Sequence, residues 1–256
     1  MARYAEAKAS LNTALRIRRA IVDGDDPRVA ALLGNLGLVH TEVGEFDEAL
    51  DLHQQSQAMR QALYGDTHPL VAASWLNLGL LHYREVRLDE AEVALQKALD
   101  GYIASVGQAH PDTARVAHNL GLVLREKDRN DEAIAQLKIA RDGFAGANQR
   151  DLQGMATMEL GATLIFSDRA EEGLAMLAEA LPILAETTGE EGFYIAMLHR
   201  YRGLGRKATG DLPGARRDLA RCVEIGEKTV GIDHFLVADC RDDLAKLDES
   251  ATDEAD

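Results

Sequence analysis

Between Pro69 and Arg84 the apolar residues Leu70, Val71, Trp75, Leu78 and Leu81, with His82 or Tyr83, recur at helical spacing among polar neighbours. Pro69 suits a first helical position, where a missing N–H is not missed. Gly79 sits in the middle, where it costs about 1 kcal/mol against alanine and so needs a close-packed neighbour. A second helical stretch runs from Leu88 to about Ser105. Asp89 and Glu90 favour its start, Leu95 and Leu99 supply bulk, and Ala91 and Ala98 give a small-residue face. Gly107 stops it, and His110-Pro111 opens the next. The turn between the stretches is short, which predicts an antiparallel helix hairpin.

This outline repeats. The small residue of the first helix falls at Gly37, Gly79, Gly121, Gly161, Gly203 and Ala245, in steps of 42, 42, 40, 42 and 42. A second small column holds Ala49, Ala91, Ala133, Gly173 and Ala215, and a third Ser56, Ala98, Ala140, Ala180 and Cys222. A bulky column runs through Leu11, His53, Leu95, Leu137, Leu177 and Leu219. Helix pairs at this period predict an all-α superhelix, a solenoid of about five hairpins. Tyr4-Ala5-Glu6-Ala7 matches the start of a second helix, so the first helix has no hairpin mate. Either the chain is a piece of a longer protein or something else covers that helix. Phe235, Val237, Leu244 and Leu247 give a C-terminal helix a face to bury, while Arg241, Asp242, Asp243 and Lys246 let it cap the array. The solenoid is expected over 1–248, with an irregularity or hinge at 145–151, where two residues and the His-Pro signal are lost. A kink is expected at Pro182, and an acidic disordered tail at 249–256.

Leu36-Gly37-His40, Leu78-Gly79-His82 and Leu120-Gly121-Leu124, followed by the small and bulky columns, resemble the tetratricopeptide repeat. The family's aromatic position holds His or Leu here. The 42-residue spacing, with His-Pro before the first helix, Asn-Leu-Gly within it and Asp-Glu-Ala opening the second, resembles the longer kinesin-light-chain type of repeat. The resemblance covers residues 4 to about 248. That type also occurs in bacterial signalling proteins, so the resemblance implies a binding module of a larger signalling or regulatory protein.

In such stacks the first helices line the concave side. Two residues before the small column stand Asn35, Asn77 and Asn119. In related peptide-binding repeats this position faces the groove. An amide side chain both donates to and accepts from a peptide backbone, so the three form a candidate ladder. The column then becomes Glu159, Tyr201 and Asp243, which confines the groove to the first half. Arg115 and Arg125 are candidates to meet a ligand carboxylate or phosphate. Leu38, Leu80 and Leu122, with Trp75 and Tyr83, suggest hydrophobic anchors on the ligand. The carboxylate clamp of chaperone-binding relatives wants Lys and Asn where Gly34, Leu38, Leu76 and Leu80 stand, so a chaperone tail is not expected.

The charge narrows the partner. Lys and Arg number 28 against 43 Asp and Glu, a net −15, which repels nucleic acid. A protein or extended peptide is the expected partner, with a homo-oligomer formed by stacking of solenoid ends as the alternative. The start MARYAEAKAS has no signal-peptide core, and no apolar run is long enough for a membrane. Cys222 and Cys240 are too few for a disulfide framework. Cys222 in a packing column reads as core filler, and the protein reads as cytoplasmic. No catalytic motif occurs, so no enzyme activity and no cofactor are expected. Gly203-Leu204-Gly205 has no strand before it, and Gly24-Asp25-Asp26-Pro27 lacks the ligands of a calcium loop. His68, His110 and His234 at the junctions read as helix-start hydrogen bonders or packing residues.

Overall fold

Twelve α-helices and no strand make up the described part of the chain. The computed structural model describes residues 2–253. They form two compact units, one ending at Lys127 and the other starting at Asp128.

The first unit holds α1 (Ala2–Arg19), α2 (Pro27–Val43), α3 (Phe46–Tyr64), α4 (Pro69–Arg84), α5 (Leu88–Val106) and α6 (Pro111–Glu126). Helices α2/α3 and α4/α5 are the predicted hairpins. Helix α1 packs on α2, and α6 packs on α5. Gly79 has its close neighbour: a Cβ there would stand 2.7 Å from Leu95 Cγ. The junctions are capped as their composition suggests. Asp26 accepts hydrogen bonds from the Arg28 and Val29 N–H groups. Nδ1 of His68 accepts from Leu70 N–H and Nδ1 of His110 from Asp112 N–H, each at 3.1 Å. Each satisfies an N–H that a helix start leaves without a partner. Asp26 also accepts from the Arg18 guanidinium, so the Gly-Asp-Asp-Pro stretch both caps α2 and ties it to α1.

The second unit holds α7 (Asn130–Gly146), α8 (Arg150–Phe166), α9 (Ala170–Thr188), α10 (Phe193–Ala208), α11 (Leu212–Thr229) and α12 (Phe235–Asp253). Its core gathers Met158, Leu177, Leu184, Ile195, Leu198 and Ile225. His234 caps α12 as its counterparts do, accepting from Leu236 N–H at 3.2 Å. Residues 145–151 are the end of α7, a turn with Asn148 at φ 56°, and the start of α8. Pro182 lies inside α9, which continues past it to Thr188.

One expectation needs correction. Cys222 is not a free core filler: it is bonded to Cys240, joining α11 to α12 across a Cα–Cα distance of 6.2 Å. Two cysteines are too few for a framework but enough for one staple between packed helices. The acidic tail 249–256 lies partly within the last helix. Helix α12 runs on to Asp253, because no glycine or proline follows Phe235 to end it. Residues 254–256 of that stretch lie outside the described residues.

Candidate peptide-binding groove

Two layers of helix form the first unit. The backbone of α2 comes close to that of α4, and α4 to α6, whereas the α3 and α5 backbones stay further apart among the described residues. The first helices of the repeats therefore make the tighter, inner layer. Arg84 ties the layer together, donating from Nη1 to the Thr41 carbonyl at 3.1 Å and to Glu42 Oε1 at 2.8 Å.

Asn35, Asn77 and Asn119 lie one to each inner helix. Asn35 is exposed, and the other two are half-buried. Asn119 Nδ2 donates to the Arg115 carbonyl at 2.7 Å, which leaves its Oδ1 to accept. No hydrogen bond engages the Asn35 or Asn77 amide among the described residues. Leu38, Leu80 and Leu122 follow three residues later; Leu38 is 42% exposed and the other two are half-buried. At about 100° per residue, Asn, Leu and the position of Tyr83 and Arg125 span about 120° of each helix. That is one continuous strip. Tyr83 and Arg125 are half-buried within it. Arg115 falls about 40° from Asn119, is exposed, and pairs with Asp112 at 2.7 Å. An exposed pair of this kind is worth little and can be exchanged for a ligand carboxylate.

Trp75 does not belong to the strip. It stands two residues before Asn77, about 200° around α4, and turns towards α5, where Lys97 Nζ lies 4.1 Å from its ring centroid. It cannot anchor a ligand in the asparagine strip.

The second unit handles the same positions differently. Glu159 and Tyr201 in the asparagine column are buried. Between α10 and α11 sits a polar core that the linear pattern conceals. Asp218, 3% exposed, accepts from His199 Nδ1 at 2.9 Å, from Arg202 Nε at 2.9 Å and from Arg206 Nη1 at 2.7 Å. Burial alone would raise the Asp218 pKa, but the hydrogen bonds from His199 and Arg202 and the nearby guanidinium charges hold it below its ordinary value. The signal was in the register. His199, Arg202, Arg206 and Asp218 occupy the positions of Trp75, Leu78, His82 and Ala94 in the α4/α5 hairpin. No group of three or more His, Cys, Asp or Glu side chains is placed to hold a metal among the described residues.

A family model described as tetratricopeptide repeat matches residues 1–62, 29–104 and 70–144, more than half of the chain. The chain belongs to the tetratricopeptide repeat family. A second tetratricopeptide repeat model matches 207–236. Among solved structures, BtubC (BKLC) from P. vanneervenii superposes with a TM-score of 0.74 at 20% identity, covering 87% of this chain and 90% of that one. A Podosopora anserina protein with nearly identical TPR-like repeats, described as a kinesin light chain, gives 0.68 at 18% identity, covering 80% and 98%. YrrB, described as a TPR protein with an unusual peptide-binding site, gives 0.58 at 17% identity, covering 91% and 97%. No curated protein sequence matches this chain. The tetratricopeptide repeats here are of the 42-residue, kinesin-light-chain type.

Proposed function

We propose that the inner layer of α2, α4 and α6 binds an extended segment of a protein partner, and that the chain works as an interaction scaffold rather than an enzyme. The observation that carries this reading is the asparagine strip. Three amides recur on successive inner helices, with hydrogen-bonding capacity left over and leucines beside them. Amides at fixed intervals suit a peptide backbone, whose N–H and C=O groups also recur. The leucines suit apolar side chains, and Arg115, with Arg125, suits a carboxylate or phosphate at the α6 end. The description of YrrB as peptide-binding accords with a groove of this kind. The net charge of −15 favours a protein over a nucleic acid as partner.

The test is selection of linear peptides from a phage-displayed library on the wild-type chain, followed by anisotropy titration of the selected peptides. Asn77→Ala with Asn119→Ala should weaken binding about tenfold or more, as loss of two hydrogen-bonding groups implies, with unchanged circular dichroism. Equal affinity for both proteins would remove the groove from the reading.

A second reading has one observation in its favour. Ile17 and Ile21 of the α1 region are 53% and 70% exposed, which suits self-association through that end. A mass from light scattering that stays monomeric at every concentration would dismiss it. No described helix is long and apolar enough to cross a membrane. A cytoplasmic location has one observation against it, because a formed Cys222–Cys240 bond suits an oxidising compartment.

A further inference from the structure

Trp75 is the sole tryptophan of the chain, and it stands between two cavities on the α5 side of α4, away from the asparagine strip. The larger, about 460 Å³, opens between α5 and the α3–α4 turn, with Gly101 and Ala104 beside the ring and Asp66 and Asp100 on its walls. The smaller, about 330 Å³, runs along Val93 and Ala94. Val93 is 57% exposed there.

The charges at the two ends differ in kind. Asp66 accepts from the Gln61 amide at 2.6 Å, and Asp100 from the Gln96 amide at 2.9 Å. A neutral amide brings no opposite charge to either carboxylate. At the other end Asp89 already pairs with Lys127, and Glu90 with Arg87. His82, which lines that cavity, has its pKa lowered by burial, so it adds no positive charge at neutral pH. The larger cavity thus has two carboxylates in no ion pair among the described residues against one cation, Lys97, and the smaller offers apolar surface.

The cation that now meets the Trp75 face is the protein's own. Lys97 Nζ sits 4.1 Å from the ring centroid. It makes no ion pair among the described residues, although two carboxylates line the same cavity. An aromatic face attracts an ammonium or guanidinium group through its quadrupole. Lys97 is an exposed side chain on a flexible stem, so another cation can displace it.

We propose that the cleft divided by Trp75 is a second docking site, for a basic segment of a protein partner. A Lys or Arg side chain of that segment replaces Lys97 over the ring, between Asp66 and Asp100, and an aliphatic neighbour lies against Val93. The opposite charge of the wall and the apolar far end set both the class of ligand and its direction.

Trp75 fluorescence reads the site directly in the full chain. The probe is the acetylated and amidated peptide Gly-Lys-Leu-Gly, compared with versions carrying Gln or Glu in place of Lys. The lysine peptide should shift the emission saturably, and the Gln version should bind about tenfold more weakly. Asp66→Asn with Asp100→Asn should weaken the lysine peptide about fivefold. Ala104→Phe, at an exposed position, should block the cavity. Lys97→Ala should tighten binding about threefold, because it removes the internal competitor. Asn77→Ala with Asn119→Ala should change nothing, so this site stands or falls independently of the groove. Equal responses to the lysine and Gln peptides would overturn the proposal, as would wild-type affinity in the double Asn variant of the carboxylates. An emission change produced by protein concentration alone would mean that a second copy of the chain fills the cleft, and would overturn it too.

Discussion

The imidazole of His53 lies over Gly37 so closely that a Cβ at position 37 would stand 2.7 Å from its Cε1 atom. The other repeats place leucine where His53 stands. His53 is 2% exposed, and its only side-chain contact of hydrogen-bond length among the described residues is Thr41 Oγ1 at 3.5 Å, at the limit of such a bond. Burial, with Arg60 assisting, pushes its pKa from 6.5 down to about 4. The folded protein therefore keeps His53 neutral where the unfolded chain already binds a proton. Stability is fully present above pH 6.5, falls as the pH drops, and levels off from this group below about pH 4. The loss is on the order of 3 kcal/mol. His53→Leu should remove this part of the pH dependence, as urea unfolding of both proteins at several pH values will show. Identical slopes would mean that His53 is protonated within the fold.

Val86 occupies the left-handed turn residue between α4 and α5, at φ 59°. Gly44 and Gly210 hold the same place in the α2–α3 and α10–α11 turns. A β-branched residue is strained there, and Val86, at 76% exposed, gains little from burial in return. Val86→Gly should stabilise the protein by about 0.5–1 kcal/mol, after the extra freedom of glycine in the unfolded chain is counted. A lower urea midpoint for the variant would contradict this.

The Cys222–Cys240 bond closes a loop of 18 residues and should contribute on the order of 3 kcal/mol to the second unit. Dithiothreitol should lower the thermal midpoint of the wild type and leave that of Cys222→Ala with Cys240→Ala unmoved. The same response from both would show that the bond does not form in solution.

Asp218 holds the Arg202 and Arg206 guanidinium groups and the His199 ring together at a buried position. Asp218→Ala alone should cost about 3–5 kcal/mol, because it leaves the two guanidinium charges facing one another. Copying the α4/α5 hairpin with His199→Trp, Arg202→Leu, Arg206→His and Asp218→Ala together should be far milder, since apolar packing can replace a buried ion cluster without loss. Chemical denaturation of the two variants separates the cases. Equal destabilisation would mean that the cluster supplies something packing cannot.

The hairpins were legible because helix period, junction residues and small columns all point the same way. Gly79 announced its close neighbour, and the junction histidines announced their capping bonds. The polar core of α10/α11 was not legible as a run of residues, because Arg and Asp are most often solvated. It becomes visible when Arg202 is set beside Leu78 at the same place in the register. Likewise Cys240 holds in α12 the buried place that Ser74 holds in α4, five before the small column. Reading Cys222 by its size alone missed its partner on the next helix. The asparagine strip was legible as a column. The position of Trp75 was not, because helical spacing gives the angle between residues but not which side faces the next helix.

The caps at Asp26, His68 and His110 start α2, α4 and α6 in the same way. Adding or deleting one 42-residue block would leave every remaining helix in phase and every remaining asparagine on the strip. The length of the asparagine strip is then a matter of copy number, extended in whole steps by duplication within the gene.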